Sequence, residues 1–116
     1  MRTTGAYWED AAQAQLQRAG LILVARNWQC RHGELDLIMR DGESLVFVEV
    51  RYRGDVAHGD GSASVGPAKQ AKLIRAAEQY LASHPPLARL PCRFDVIAYD
   101  RNAGDGNWLR NAFDAY

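Results

Sequence analysis

The sequence predicts an α/β domain in which a mixed β-sheet is flanked by helices. Three observations carry that expectation. Helical periodicity appears at residues 6–19 and 67–82, and strand-like runs rich in aliphatic residues fill 21–28, 33–40, 44–53 and 92–99. Their order reads α-β-β-β-α-β-β, so the second helix separates a strand hairpin from a returning strand. A chain of 116 residues, 47% hydrophobic and 24% charged, suits one globular domain with one core.

In the first element, Thr4 or Gly5 is placed to cap a helix over 6–19. Trp8, Ala12 and Leu16 recur every four residues, with Ala11 and Ala19 beside them, and make one apolar stripe. Gly20 follows as a helix stop. LILVARNW (21–28) reads as a strand. GELDLIMR (33–40) and SLVFVEVRYR (44–53) read as two more, with Asp41-Gly42 between them as the signal for a tight hairpin turn.

GDVAHGDGSASVG (54–66) carries four glycines and few apolar residues, so a mobile loop is expected, suited to serve as a flap. It lacks the GxxxxGK[ST] order of a phosphate loop. Pro67 suits the first position of the second helix, whose apolar stripe is Leu73, Ala77 and Leu81, helped by Ile74 and Tyr80. Pro85-Pro86 ends it. CRFDVIAY (92–99) is a fourth long strand, NAGDGN (102–107) a turn, and WLRNAF (108–113) a short edge strand.

Lys plus Arg and Asp plus Glu are balanced at 14 each. Zero net charge argues against coating nucleic acid through bulk charge and leaves a local patch as the route. Lys69, Lys72 and Arg75 fall on the exposed side of the second helix, near Arg51 and Arg53. They form either such a patch or an ordinary solvated face. No apolar run approaches the ~20 residues of a membrane span, and the amino-terminal stretch lacks the apolar segment of a signal peptide. A cytoplasmic protein with no membrane partner is expected. Cys30 and Cys92 stand far apart and read as reduced thiols; His32 reads as a polar cap, His58 and His84 as inert, and Asp95 as a structural partner of a neighbouring arginine.

Side chains alternate along a strand. If the hairpin turn holds the two residues Asp41-Gly42, Ile38 meets Leu45, Asp36 meets Phe47 and Glu34 meets Glu49. The three acids then share one face, with Asp36 diagonal to Glu49, while Leu35, Leu37 and Met39 face Val46 and Val48 on the other. A three-residue turn would slip the register and break this arrangement. Opposed like charges destabilise a sheet. They call either for a hard divalent cation such as Mg²⁺ or Mn²⁺, or for an ion-pair network in which Arg51 and Arg53 neutralise the acids. Zinc is not expected without a Cys/His cluster.

GELDLI (33–38) followed by VFVEVRYR (46–53) resembles the Asp…Glu-x-Lys core of the PD-(D/E)XK superfamily, the nucleases of the restriction-endonuclease-like fold. The whole chain resembles the small bacterial YraN family of predicted endonucleases, distant relatives of archaeal Holliday junction resolvases. The matching pieces are Glu9, RNW (26–28), GELDLI, FVEVR, Lys69-Gln70 and RFDVIAY (93–99).

The resemblance implies an αβββαβ core and a metal-dependent endonuclease acting on DNA, including branched DNA, with homodimers among its relatives. It implies that Asp36 and Glu49 hold Mg²⁺ or Mn²⁺, with Glu34 beside them and Glu9 facing the site from the first helix. Lys69 and Gln70 would approach water or phosphate; Lys72 and Arg53 are further DNA contacts if the charged side of the second helix is a patch, a reading that comes from the residues and not from the resemblance. One position departs from the pattern: the superfamily's catalytic Lys is Arg51 here. Arg stays protonated and cannot serve as a base, but it clamps phosphate oxygens and stabilises developing charge. That departure keeps a second class open, a nuclease-like DNA-binding module without cleavage. A third is a structural subunit whose site a partner completes.

Overall fold

The computed structural model describes residues 4–53, 65–100 and 104–115. Helix α1 (Thr4–Arg18) is followed by strands β1 (Ile22–Cys30), β2 (Gly33–Asp41) and β3 (Ser44–Arg53). Helix α2 (Pro67–Ser83), a 3₁₀ turn (Leu87–Arg89) and strands β4 (Cys92–Asp100) and β5 (Asn107–Phe113) complete the chain. The expected element order holds. One five-stranded sheet has the strands in sequence order, β1 to β5. The β3–β4 pair is parallel and the other three are antiparallel. A parallel pair needs a long crossover, and α2 lies within it. The result is a restriction-endonuclease-like αβββαβ core with β5 added at one edge.

Two apolar clusters, one on each side of the sheet, hold the helices. Under α2, Leu73, Ala76, Ala77 and Tyr80 pack on Leu35, Ile38, Leu45, Phe47, Phe94 and Val96. Under α1, Ala12 and Leu16 pack with Leu21, Leu37, Met39, Val46, Val48, Ile97 and Tyr99. The α1 stripe is as expected at Ala12 and Leu16, but Ala19 is exposed, because the helix has already ended. The amide of Leu21 donates to the Leu16 carbonyl and that of Gly20 to the Gln17 carbonyl, with Gly20 at φ +100°. This double bond pattern closes the helix end, and the Leu16–Leu21 apolar contact that usually accompanies it is present in the α1 cluster. Gly5 lies inside α1 rather than capping it. In α2, Ala76 joins the buried stripe and Leu81 is only half-buried.

The β2–β3 turn differs from expectation by one residue. Asp41 pairs with Ser44, so the turn residues are Gly42 and Glu43. Gly42, at φ +59°, takes the first central position, where a type II′ hairpin favours glycine. Ile38 therefore faces Phe47 rather than Leu45. Each partner moves by two residues, so every side chain keeps its face.

A second departure lies at the far end of the hairpin. Leu37 belongs to the α1 cluster but Leu35 belongs to the α2 cluster, so alternation along β2 breaks at Asp36. Across the ladder, Arg26 pairs with Leu37 and Trp28 with Leu35. Asn27, opposite Asp36, sits at φ +55°, a left-handed conformation that Asn tolerates better than most residues. The two neighbouring strands turn over together at this level.

Asp95 is wholly buried in β4 and has the structural role expected, with more partners than one arginine. It accepts from Arg93 Nε (3.0 Å), Trp108 Nε1 (2.9 Å) and the main-chain amide of Asn111 (2.9 Å). Asn111, at φ +51°, lies where the β4–β5 register shifts, and Asp95 fastens that irregular edge strand to the sheet. Cys30 and Cys92 are free thiols. Among the described residues, no helix is long and apolar enough to cross a membrane. The glycine-rich loop at 54–64, with His58, lies outside the described residues, as do 101–103 of the last turn.

Candidate functional site

The β2–β3 ladder ends at Leu37–Val48. Beyond it, the amide of Val50 donates instead to Asp36 Oδ2 at 2.9 Å. The strands part here, and an open cleft of about 280 Å³ lies between them and the amino-terminal turns of the two helices. Glu34, Asp36, Glu49 and Val50 line it from the hairpin, Gly5, Trp8 and Glu9 from α1, Tyr52 from the end of β3, and Lys69 from α2. The expected gathering of Glu34, Asp36 and Glu49 therefore occurs through the strand reversal and the parting of the ladder, not on one regular face.

Asp36 is only 8% exposed. Burial, followed by the negative charge of Glu49, pushes its pKa up from 3.8 to about 7, against the opposing hydrogen bond from Val50. The Asp36 and Glu49 carboxyls are themselves hydrogen-bonded, and Glu34 adds further negative charge. Glu49 is nearly buried, and its Oε2 lies 3.6 Å from Lys69 Nζ. Glu34 is exposed and accepts from Gln29 Nε2 at 3.3 Å.

Glu9 reaches the cleft because α1 is docked at two places. Arg26 of β1 forms ion pairs with Asp10 (2.6 Å) and Glu9 (3.6 Å), and also donates to the Ala6 carbonyl and the Gln13 side chain. Trp8 stacks on Tyr52 at 4.5 Å and 11°, and packs against Tyr99 at 5.0 Å. Burial raises the Glu9 pKa first, opposed by a hydrogen bond from Asn27; Asp36 then raises it and Arg26 lowers it.

The remaining expected residues are spread more widely. Gln70 turns back to donate to the Val65 carbonyl at 2.7 Å, fixing the start of α2. Lys72 and Arg75 are exposed along α2. Arg51 is half-buried two positions beyond Glu49, level with Ala98 of β4, and is not part of the cleft lining among the described residues. Arg53 ends β3, and its side chain lies outside the described residues. Among the described residues, no group of three His, Cys, Asp or Glu side chains is arranged to hold a metal ion. The hard oxygen donors the site offers are chiefly the Asp36–Glu49 pair.

Two contributors were not singled out from the sequence, the Val50 amide and the Trp8–Tyr52 stack, and Asn27 entered only as part of RNW (26–28), with no role. A non-glycine residue in left-handed conformation inside a strand leaves little trace in sequence beyond its being Asn. The stack pairs residues 44 positions apart, which no local pattern reports.

Residues 8–99 match the model of the family described as Uncharacterised protein family UPF0102. A UPF0102 protein of Xanthomonas campestris pv. campestris is 57% identical over 109 residues, covering 94% of this chain and 89% of the relative. One from Stutzerimonas stutzeri is 49% identical over 116 residues, covering 98% and 97%. One from Pseudomonas fluorescens is 49% identical over 107 residues, covering 92% and 89%. The match takes in α1 from Trp8 onward and every cleft residue except Gly5.

Proposed function

The chain belongs to uncharacterised protein family UPF0102, and from the chemistry of its cleft we propose that it is a divalent-metal-dependent endonuclease that hydrolyses DNA phosphodiester bonds, branched DNA included. The observation that carries this reading is the buried Asp36–Glu49 pair, in which Asp36 keeps its proton to about pH 7. Two adjoining carboxyls are a donor set suited to a hard cation, which favours carboxylate and water oxygens. Asp36 and Glu49 would hold Mg²⁺ or Mn²⁺, with Glu34 close by. Such a cation supplies Lewis-acid polarisation of a phosphate and lowers the pKa of a bound water.

The chain's own residues have separate tasks. The Val50 amide fixes the orientation of the Asp36 carboxyl. Lys69, at the cleft wall, offers a cation to a phosphate oxygen, and Lys72 and Arg75 extend that charge along α2. Arg51 would act through its charge, not as a base. Glu9, whose pKa is raised, is the acid best placed to exchange a proton with water in the cleft.

A second reading is a DNA-binding module that does not cut. It is favoured by arginine at position 51 and by a two-carboxylate donor set. The experiment that separates them incubates the protein with linear, supercoiled and four-way-junction DNA in Mg²⁺ or Mn²⁺, beside Glu49→Ala. Cutting that vanishes in the variant supports the enzyme. Retained binding with no cutting under any condition sinks the enzyme and leaves the module. Sedimentation of the same samples tests the homodimer implied by the resemblance.

A further inference from the structure

Beside the acids, the cleft carries an aromatic wall that phosphodiester hydrolysis does not require. Tyr52 and Trp8 both line the cleft. Their rings are stacked, and Tyr7 meets Trp8 edge-on at 4.8 Å. Trp8 is half-buried and packs with the cluster under α1, where it helps dock the helix. Tyr52 nevertheless remains 41% exposed and Tyr7 60% exposed, large apolar rings left in water.

We infer that Tyr52, backed by Trp8, is a stacking platform for an unpaired nucleobase of the DNA strand whose phosphate enters the acid cleft. This rests on the reading of the cleft as a DNA site. In a duplex the faces of each base are covered by its neighbours, so a ring in the cleft wall gains contact only with a base that has left the stack. Tyr52 follows Glu49 by three residues on the same strand, which places the platform within a nucleotide's reach of the acids. Its stack on Trp8 fixes the ring before binding, which limits the ordering cost. With zero net charge, the chain lacks the bulk attraction on which most DNA-binding proteins rely. Stacking supplies affinity that is independent of both sequence and charge. The substrate class that follows is DNA with an unpaired nucleotide beside the scissile phosphate, as at a gap, flap or junction.

The test uses the full chain carrying Asp36→Asn, so that cleavage does not consume the probe. Probes are a fully paired duplex and the same duplex with one unpaired 2-aminopurine, titrated across a range of salt. The expected result is tighter binding of the unpaired probe, with its fluorescence quenched. Tyr52→Leu, which keeps apolar volume on Trp8, should lose the quench and weaken binding about tenfold while leaving the salt slope unchanged. Tyr52→Phe should restore both. Lys69→Ala should instead lower the salt slope by about one and keep the quench. Equal binding of both probes, indifferent to Tyr52→Leu in a chain whose melting temperature is unchanged, would overturn the platform. That outcome is separate from failure of the nuclease reading, which the cleavage assay alone decides.

Discussion

The main-chain amide of Val50 donates a 2.9 Å hydrogen bond to Asp36 Oδ2. That bond favours the carboxylate, yet burial and Glu49 outweigh it and hold the Asp36 pKa at about 7. An unfolded Asp titrates near 3.8. Between these values the folded chain binds more protons than the unfolded one, so this group's contribution to stability is whole below about 4 and is lost as pH rises through about 7. Asp36→Asn, which keeps an acceptor for Val50, should be more stable than the parent at pH 8, by at most about 4 kcal/mol. The difference should shrink toward pH 4. Urea unfolding of both proteins across this range measures it, and a difference independent of pH would refute the assignment.

On the proposed reading, a cation bound at the pair would displace the Asp36 proton. Mg²⁺ or Mn²⁺ at ten times its dissociation constant should stabilise the fold by about 1.4 kcal/mol. Affinity should rise from pH 6 to pH 8. Calorimetry in two buffers of different ionisation heat reads the released proton directly. Asp36→Asn should lose the proton release, and chelation should reverse the rise in melting temperature.

Arg26 holds the amino-terminal half of α1 through its two terminal nitrogens, which meet Asp10, Glu9, Gln13 and the Ala6 carbonyl. Arg26→Ala should cost about 2 kcal/mol and release Glu9 and Trp8 from the cleft wall. Lys has a single nitrogen in place of that planar fork, so Arg26→Lys should recover only part of the loss. Hydrogen exchange of residues 5–10 should speed up in both variants, and more in the alanine.

The Asp95 carboxyl has no exposure to solvent, and its partners come from β4 and β5. Asp95→Ala would leave Arg93 with Asp41 as its carboxylate partner and leave the Trp108 and Asn111 donors without this acceptor, at a cost of about 3 kcal/mol. Asn in its place retains one acceptor oxygen and should cost less. Trp108 fluorescence should respond in both, because its indole N–H loses or changes its partner. An unshifted Trp108 spectrum in Asp95→Ala would contradict the proposed fastening of β5.

The element order was legible in the sequence because it rests on local periodicity, whereas the acids were picked out by an assumed hairpin register and by the resemblance. Trp8, Ala12 and Leu16 announce one helix, and Leu73 and Ala77 another. Asp41-Gly42 announced a hairpin, but a glycine satisfies either central position of a primed turn, so the pair alone left the exact residues open. The reversal at Asp36 was hidden for a deeper reason. Leu35 and Leu37 are chemically alike, and nothing in their side chains tells that they lie on opposite sides of the sheet, at the level where Asn27 of β1 is left-handed. The roles of Arg26 and Gln70 were likewise invisible, since a charged or polar side chain says nothing of which main-chain carbonyl it will meet.

Strand β3 turns Glu49 toward α2 and Lys69, while Val50 packs toward α1 and Tyr52 stacks on Trp8. Odd and even positions of one short segment thus face different neighbours. On the proposed reading, reactivity and recognition would then sit on interleaved positions that share a backbone but not a packing environment. Substitution at position 52 would alter what the cleft grips without displacing the acids, and substitution at 49 would alter the chemistry without touching the Trp8 stack. The strand would carry two separate dials, one for the target and one for the reaction.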